Sequence, residues 1–217
     1  MSQTLTLTPT IARRLDEGLA RLELAVDPAQ RDQLLALLAL LHKWNRAYNL
    51  TAVRDPLAMV SRHLLDSAAV LPWVRGPRLL DVGAGPGLPG LVLAILAPRL
   101  EVSLLDSNGK KVRFQRQAVL ELGLTNVTPV QARVEAHRDA PFDQLISRAF
   151  ASLGDFVTLT EGLLAEGGEW LAMKGPAADE ELEALPPRVR LNARHELAVP
   201  FDESQRQLLI LQRHPTT

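Results

Sequence analysis

Apolar residues recur at two different spacings along the chain, and the change of spacing divides it. In "DPAQRDQLLALLALLHKWNRAYN", residues 27–49, Leu34, Leu37, Leu38, Leu41, Trp44 and Tyr48 return every third or fourth position, as on one face of an amphipathic helix. Asp27 stands where an N-cap belongs, and Pro28 takes the first helical position, where its missing N–H costs nothing. A second Asp-Pro pair, Asp55 and Pro56, opens another helical stretch that stops before Pro72. Residues 1–75 therefore read as a helical extension packed on the rest.

From about residue 78 short apolar runs alternate with helical ones. The strand-like segments are 78–82, 101–106, 127–131, 142–147 and 168–174. Between them lie helical stretches such as "LPGLVLAILA" and "SNGKKVRFQRQAVLELG", the latter ending on Gly123. Such alternation predicts an α/β domain over 76–217, Rossmann-like, with a mainly parallel, doubly wound sheet. The ending differs. "VRLNARHELAV" and "QRQLLILQR" are strand-like with no helix between them, which predicts an antiparallel pair at one sheet edge.

Composition narrows the class. The 217 residues are 47% hydrophobic and contain no cysteine, which excludes disulfides and zinc-thiolate sites and suits a reducing cytosol. The apolar run at 34–41 is too short to span a bilayer, and the first residues lack a signal-peptide pattern. A soluble cytoplasmic protein is expected. The net charge of −1 does not advertise a nucleic-acid binder. Basic residues nevertheless gather at Lys43, Arg46, Arg54 and Arg62, and again at Lys110, Lys111, Arg113 and Arg116, while acid collects at 178–185. Such clusters serve as solvated faces or as local phosphate sites.

The stretch that asks for a ligand is "DVGAGPGLPG", residues 81–90, between a strand and a helix. Read from Gly85 it fits the dinucleotide pattern G-x-G-x-x-G. Read from Asp81 it fits D-x-G-x-G-x-G, a loop of S-adenosylmethionine (SAM) methyltransferases. A carboxylate at Asp81 is a poor neighbour for a pyrophosphate and a good one for an ammonium or sulfonium, by contact or through water, so it favours SAM. Asp106, ending the second strand, is placed to accept from ribose hydroxyls, a group both cofactors carry; its other reading is a helix cap.

"LHKWNRAYNLTAVRDP", "RHLLDS", "LLDVGAGPGLPG", "LLDSNGKKVRF", "ARVE", "ISRAFASL" and "MKG" follow one another at suitable spacing. This series resembles the bacterial 16S ribosomal RNA guanine-N7 methyltransferases, the glucose-inhibited division protein B family. Ala84 departs from the Thr or Ser of many members, a small residue for a small residue. The resemblance implies a class I SAM methyltransferase acting on N7 of a guanosine, nucleotide 527 in the 530 loop. The partner would be 16S rRNA or the small subunit. It further implies SAM contacts at Gly83 and Leu88, adenine contacts at Val134 and Glu135, and Arg148 reaching toward cofactor or base.

N7 of guanine carries a free lone pair and no proton, so the reaction needs alignment and water exclusion rather than a general base. No catalytic acid or base is therefore assigned, and no metal. Arg54, Arg62, His63, Lys110, Lys111 and Arg113 are candidates for the RNA, with Asn45, Asn49, Thr51 and Asp66 as polar pocket groups. Trp44 and Tyr48 fit core packing better than base stacking, and His63 fits a structural role. Lys174 points to RNA or to solvent. A monomer is expected. The rival readings are a nicotinamide-dependent oxidoreductase, a non-catalytic RNA-binding assembly factor, and a small-molecule methyltransferase.

Overall fold

The structure, a computed structural model, describes residues 8–148, 150, 152–176 and 178–214. Residues 1–7 of the opening stretch, and Ala149 and Ala151 of "ISRAFASL", lie outside the described residues.

The chain opens with helices α1 (Pro9–Arg21) and α2 (Pro28–Tyr48). Asp27 caps α2 as the sequence predicts. Its side chain accepts from the Gln30 amide, and the Gln30 side chain accepts from the Asp27 amide. Such a box stabilises a helix start by about 1 kcal/mol. The next helical stretch is not uniform. It runs from α3 (Pro56–Met59) through a π-helical segment, Val60–Leu65, to α4 (Asp66–Ala68). The wider turn re-aims the side chains that follow, and π segments of this kind gather at functional sites.

The sheet then forms from β1 (Arg78–Val82), β2 (Glu101–Asp106), β3 (Val127–Gln131), β4 (Phe142–Ser147), β5 (Leu164–Lys174), β6 (Val189–Glu196) and β7 (Gln207–Arg213). Strands β1 to β4 match the sequence expectation at both ends, and β5 begins four residues earlier, at Leu164 rather than 168. Their order is β3-β2-β1-β4-β5-β7-β6. Strands β1 to β5 pair in parallel. Only β7 is reversed, antiparallel to both β5 and β6, so β6 forms the edge itself. Helices α5 (Gly90–Leu96) and α6 (Gly109–Leu122) follow β1 and β2, while α7 (Leu153–Thr160) and the short α8 (Asp179–Glu183) flank β5.

Alternation along each strand splits the core into two layers. Leu79, Leu104, Ile146, Leu171 and Ile210 face the layer that also holds Leu34, Leu37 and Leu41 of α2 and Leu91 of α5. Leu80, Val82, Leu105, Trp170 and Leu211 face α7 and the second cluster. Trp44 stacks on Tyr48 at 5.0 Å and meets Phe114 edge-on at 5.8 Å, so both rings belong to packing. Asn108, rather than Asp106, caps α6.

Candidate functional site

Strand order reverses between β1 and β4, and ligands of such sheets bind outside the carboxyl ends at that point. Two features meet there: the glycine loop after β1 and a cleft beyond β4 and β5. In the loop Gly83, Gly85 and Gly87 all hold positive φ, +68°, +60° and +85°, a region closed to most side chains. The loop curls so tightly that its own amides are used inside the protein. Gly83 and Ala84 donate to the Leu105 carbonyl, Gly85 to the Asp106 carboxylate, and Gly87 and Leu88 to the Ala84 carbonyl. Gly90 donates to Asp81 at 2.8 Å, and Leu91 to the Gly87 carbonyl. Pro86 and Pro89 have no N–H. From Gly83 to Leu91, therefore, no amide is left to cradle a phosphate.

Asp81 explains the rest of the arrangement. Its carboxylate stands at the N-terminus of α5, where a dinucleotide site would hold its pyrophosphate. Burial drives its pKa up to about 7; the Gly90 amide and Arg148 pull it down, and Asp106 pushes it up again. One oxygen, Oδ1, is buried without a hydrogen-bond partner among the described residues. Asp106 accepts from Gly85 through Oδ2 and from Asn108 through Oδ1, each at 2.8 Å, with the Lys111 ammonium 3.9 Å away. A loop without free donors, backed by two carboxylates, fits a cationic ligand and disfavours a pyrophosphate.

The cleft, about 370 Å³, is walled by Val53, Met173 and Leu197 and carries Arg62, His63, Asp66, Arg148, Lys174, Arg206 and Gln207. Its charges are paired across distant parts of the chain. Asp66 receives Arg148 at 3.0 Å and lies 3.5 Å from Arg206. Asp202 in turn lies 4.0 Å from Arg206 and 3.7 Å from Arg62. Burial raises the Asp202 pKa, but Ser204 and the two arginines outweigh it and leave it lowered. His63 has both ring nitrogens engaged, with the Thr51 hydroxyl at 2.8 Å and the Arg62 carbonyl at 3.0 Å. Burial first, then Arg148, holds its pKa down to about 4. It is a neutral structural histidine, and not a proton carrier at neutral pH.

Comparison with known proteins decides between the ligands. The family described as "GidB: rRNA small subunit methyltransferase G" matches residues 30–210. The chain belongs to the GidB family. It is 70% identical to the ribosomal RNA small subunit methyltransferase G of Chromohalobacter salexigens, over 95% of this chain and 100% of that one. Identity to the Marinobacter nauticus protein of the same name is 55%, over 92% and 94% of the two chains. Among solved structures, the ribosomal protein L11 methylase of Lactobacillus delbrueckii shares the fold. It has a TM-score of 0.55 at 16% identity, over 70% of this chain and 77% of that one. This GidB chain is a SAM-dependent methyltransferase of the Rossmann-like class, and the nicotinamide reading of the loop falls.

Within this GidB methyltransferase the expected site residues separate into groups. Gly83 lies in the loop. Leu88 is buried in the core, so its first role is packing. Asp81 has no exposed surface, and its carboxylate accepts from the Gly90 amide. Val134 is half-buried and Glu135 exposed, in a short turn after β3, beyond Asp106 in the sheet order. Arg62, His63 and Arg148 come together in the cleft. Arg54 is exposed and bonded to Asn49. Lys110, Lys111 and Arg113 stay apart from the cleft, on the first turns of α6.

Sequence reasoning missed two supports of the loop and the far wall of the cleft. Gln115, wholly buried in α6, donates to the Gly85 carbonyl at 2.8 Å. It falls three residues after Val112 on the buried face, and a polar residue at that position was the available signal. Ser147 donates to the Val82 carbonyl and ties β4 to the end of β1. Arg206 and Gln207 carried no signal, because only the reversal of β7 brings them to the carboxyl ends.

Proposed function

We propose that this enzyme transfers the methyl group of SAM to N7 of the guanosine at position 527, in the 530 loop of 16S rRNA. The observation that carries the reading is the glycine loop, in which every amide is used internally, beside a cleft large enough for a base. SAM supplies an activated methyl group on a sulfonium. Gly83, the loop it begins, Val134 and Glu135 hold the cofactor, and Asp106 has lone pairs left for ribose hydroxyls. Arg148 lies between cofactor and base with its charge balanced by Asp66.

This chain's residues need only bind, align and exclude water. Holding reactants in a near-attack geometry supplies roughly 7–11 kcal/mol in favourable cases. The engaged nitrogens of His63 agree with a reaction that needs no base. Positive charge passes to the base during transfer, and Asp66 beside it favours that product. Bases in RNA loops are unstacked and accessible, as this chemistry requires.

The enzyme works as a monomer in the cytoplasm. Among the described residues the exposed large hydrophobics, Leu120, Leu159 and Leu191, lie on three separate elements, which supports no dimer face. No helix among them is long and apolar enough to cross a membrane. The decisive test is transfer from labelled SAM to small subunits from cells lacking the enzyme, the product located by cleavage at N7-methylguanine. Label at one guanosine of the 530 loop is expected; label elsewhere, or none with SAM bound, overturns the reading.

A further inference from the structure

Gln207 opens β7 and pairs in register with Lys174, the last residue of β5. Because β7 is reversed, its first residue lies at the carboxyl ends of the parallel strands. The residue is 5% exposed and lines the cleft. Its Nε2 donates to the Gly175 carbonyl, which sets the amide's orientation, since only the nitrogen can face a carbonyl. Oε1 is then the other atom, and it is buried without a hydrogen-bond partner among the described residues. An unpaired buried acceptor is costly in the free protein, and a donor from a ligand relieves it.

We infer that the cleft receives the target base and that the Gln207 carbonyl accepts from the 2-amino group of guanine, making Gln207 a specificity-determining residue. The inference rests on the N7-guanosine reading above. Methylation turns N7 toward the cofactor, at the ends of β1 and β4. The 2-amino group lies at the opposite end of the purine, and β7 stands two strands beyond β4, roughly 10 Å at ordinary strand spacing. Asp66 stands between them in the cleft, beside the path of the N1–H donor. Val53, Met173 and Leu197 offer apolar surface to the ring faces. Arg62, its side chain 57% exposed at the mouth, remains for the phosphate. Adenine carries no 2-amino group, so it leaves the acceptor unpaired, and sites built around such a bond discriminate strongly.

The test uses small subunits reconstituted with either guanosine or inosine at the target position; inosine keeps N7, O6 and N1–H but lacks the 2-amino group. The unaltered enzyme is expected to methylate the inosine substrate with kcat/KM lower by roughly tenfold to a hundredfold. Gln207→Met keeps the length of the side chain and removes the acceptor. It should lose a similar factor on guanosine and treat both substrates alike, while binding S-adenosylhomocysteine as the unaltered enzyme does. Equal methylation of inosine and guanosine by the unaltered enzyme overturns the inference without recourse to any variant. So does a Gln207→Met enzyme that still prefers guanosine. Failure of the unaltered enzyme to methylate N7 of either substrate would instead remove the guanosine reading, and this inference with it.

Discussion

The glycine loop and the cleft sit side by side at the same end of the sheet, yet they are built by opposite means. The loop is local. Gly87, Leu88 and Leu91 donate within it, and Gly83, Ala84, Gly85 and Gly90 donate to the ends of two adjacent strands, at Leu105, Asp106 and Asp81. The cleft is assembled from afar. Arg148 and Asp66 are separated by 82 residues, and Arg206 joins them from the last strand pair. One region is a rigid backbone mould, the other a network of side-chain charges. The difference suits the ligands proposed for them: a small cofactor that must be held one way, and a base that must enter and leave with RNA attached.

The largest expected effect comes from breaking the mould. Gly87 has φ of +85°, and a Cβ there would meet Leu91 at 2.5 Å. Gly87→Val adds a β-branched side chain in a region it cannot occupy without strain, at a cost of about 3 kcal/mol. It should lower the melting temperature and remove measurable SAM binding by calorimetry. Retained SAM affinity would mean that the loop is softer than its bonding implies.

Asp66→Ala breaks the other region and leaves the mould alone. Arg148 and Arg206 then lose their common partner. Asp66 is nearly buried, but the arginines are partly solvated, which brings the cost to about 2 kcal/mol. Methyl transfer to the subunit should fall by roughly a hundredfold, a loss confined to the substrate half. S-adenosylhomocysteine binding should hold. If both fell together, the two regions would be one unit and the contrast would fail.

That contrast also decides how much of the molecule is legible in its sequence. Short-range order was legible: the Asp27 cap, the Asp55 start, strands β1 to β4 and the spacing of the loop all follow from neighbours in the chain. Asp81 was singled out for its charge, but its burial was not legible, because nothing in the spacing says that it turns inward to Gly90. The cleft was harder. Arg148 could be placed at a strand end, and a salt bridge to a helix carboxylate was its alternative; the structure pairs it with Asp66. Arg206 and Gln207 lie in a segment whose only reading was an edge strand. The π turn at Val60–Leu65 was invisible as well, since the sequence there is an ordinary helical pattern.

A smaller effect probes the charge inside the mould. Asp81 titrates at about 7 when folded and near its ordinary 3.8 when unfolded. The folded chain therefore keeps a proton that the unfolded chain has released between those values. The stability that Asp81 contributes to the cofactor-free enzyme is fully present below about pH 4 and is lost as pH rises through about 7. A cationic ligand favours the ionised form, so SAM binding should release a proton near neutral pH and tighten as pH rises. Calorimetry in buffers of different ionisation enthalpy measures that proton. Asp81→Asn keeps an acceptor for Gly90 and should abolish both slopes; slopes that survive would assign the proton elsewhere.

The smallest effect is expected on α6, and it asks which face the RNA uses. Lys110 and Arg113 are exposed on the first turns of that helix, near Asp106 and the cofactor end of the sheet, whereas the cleft opens beyond β5 and β7. Lys110→Glu with Arg113→Glu removes at most two cations that could neutralise phosphates. Each phosphate left without its cation weakens binding and flattens the salt dependence by about one unit of slope. The double reversal should therefore lower subunit methylation severalfold at low salt, with little difference at high salt and unchanged SAM affinity. No change at any salt would confine the RNA to the cleft side, with Arg62 and Arg206 as its cations. A loss as deep as that of Asp66→Ala would instead make α6 a principal docking face, and the RNA would have to cross the cofactor loop to reach the cleft.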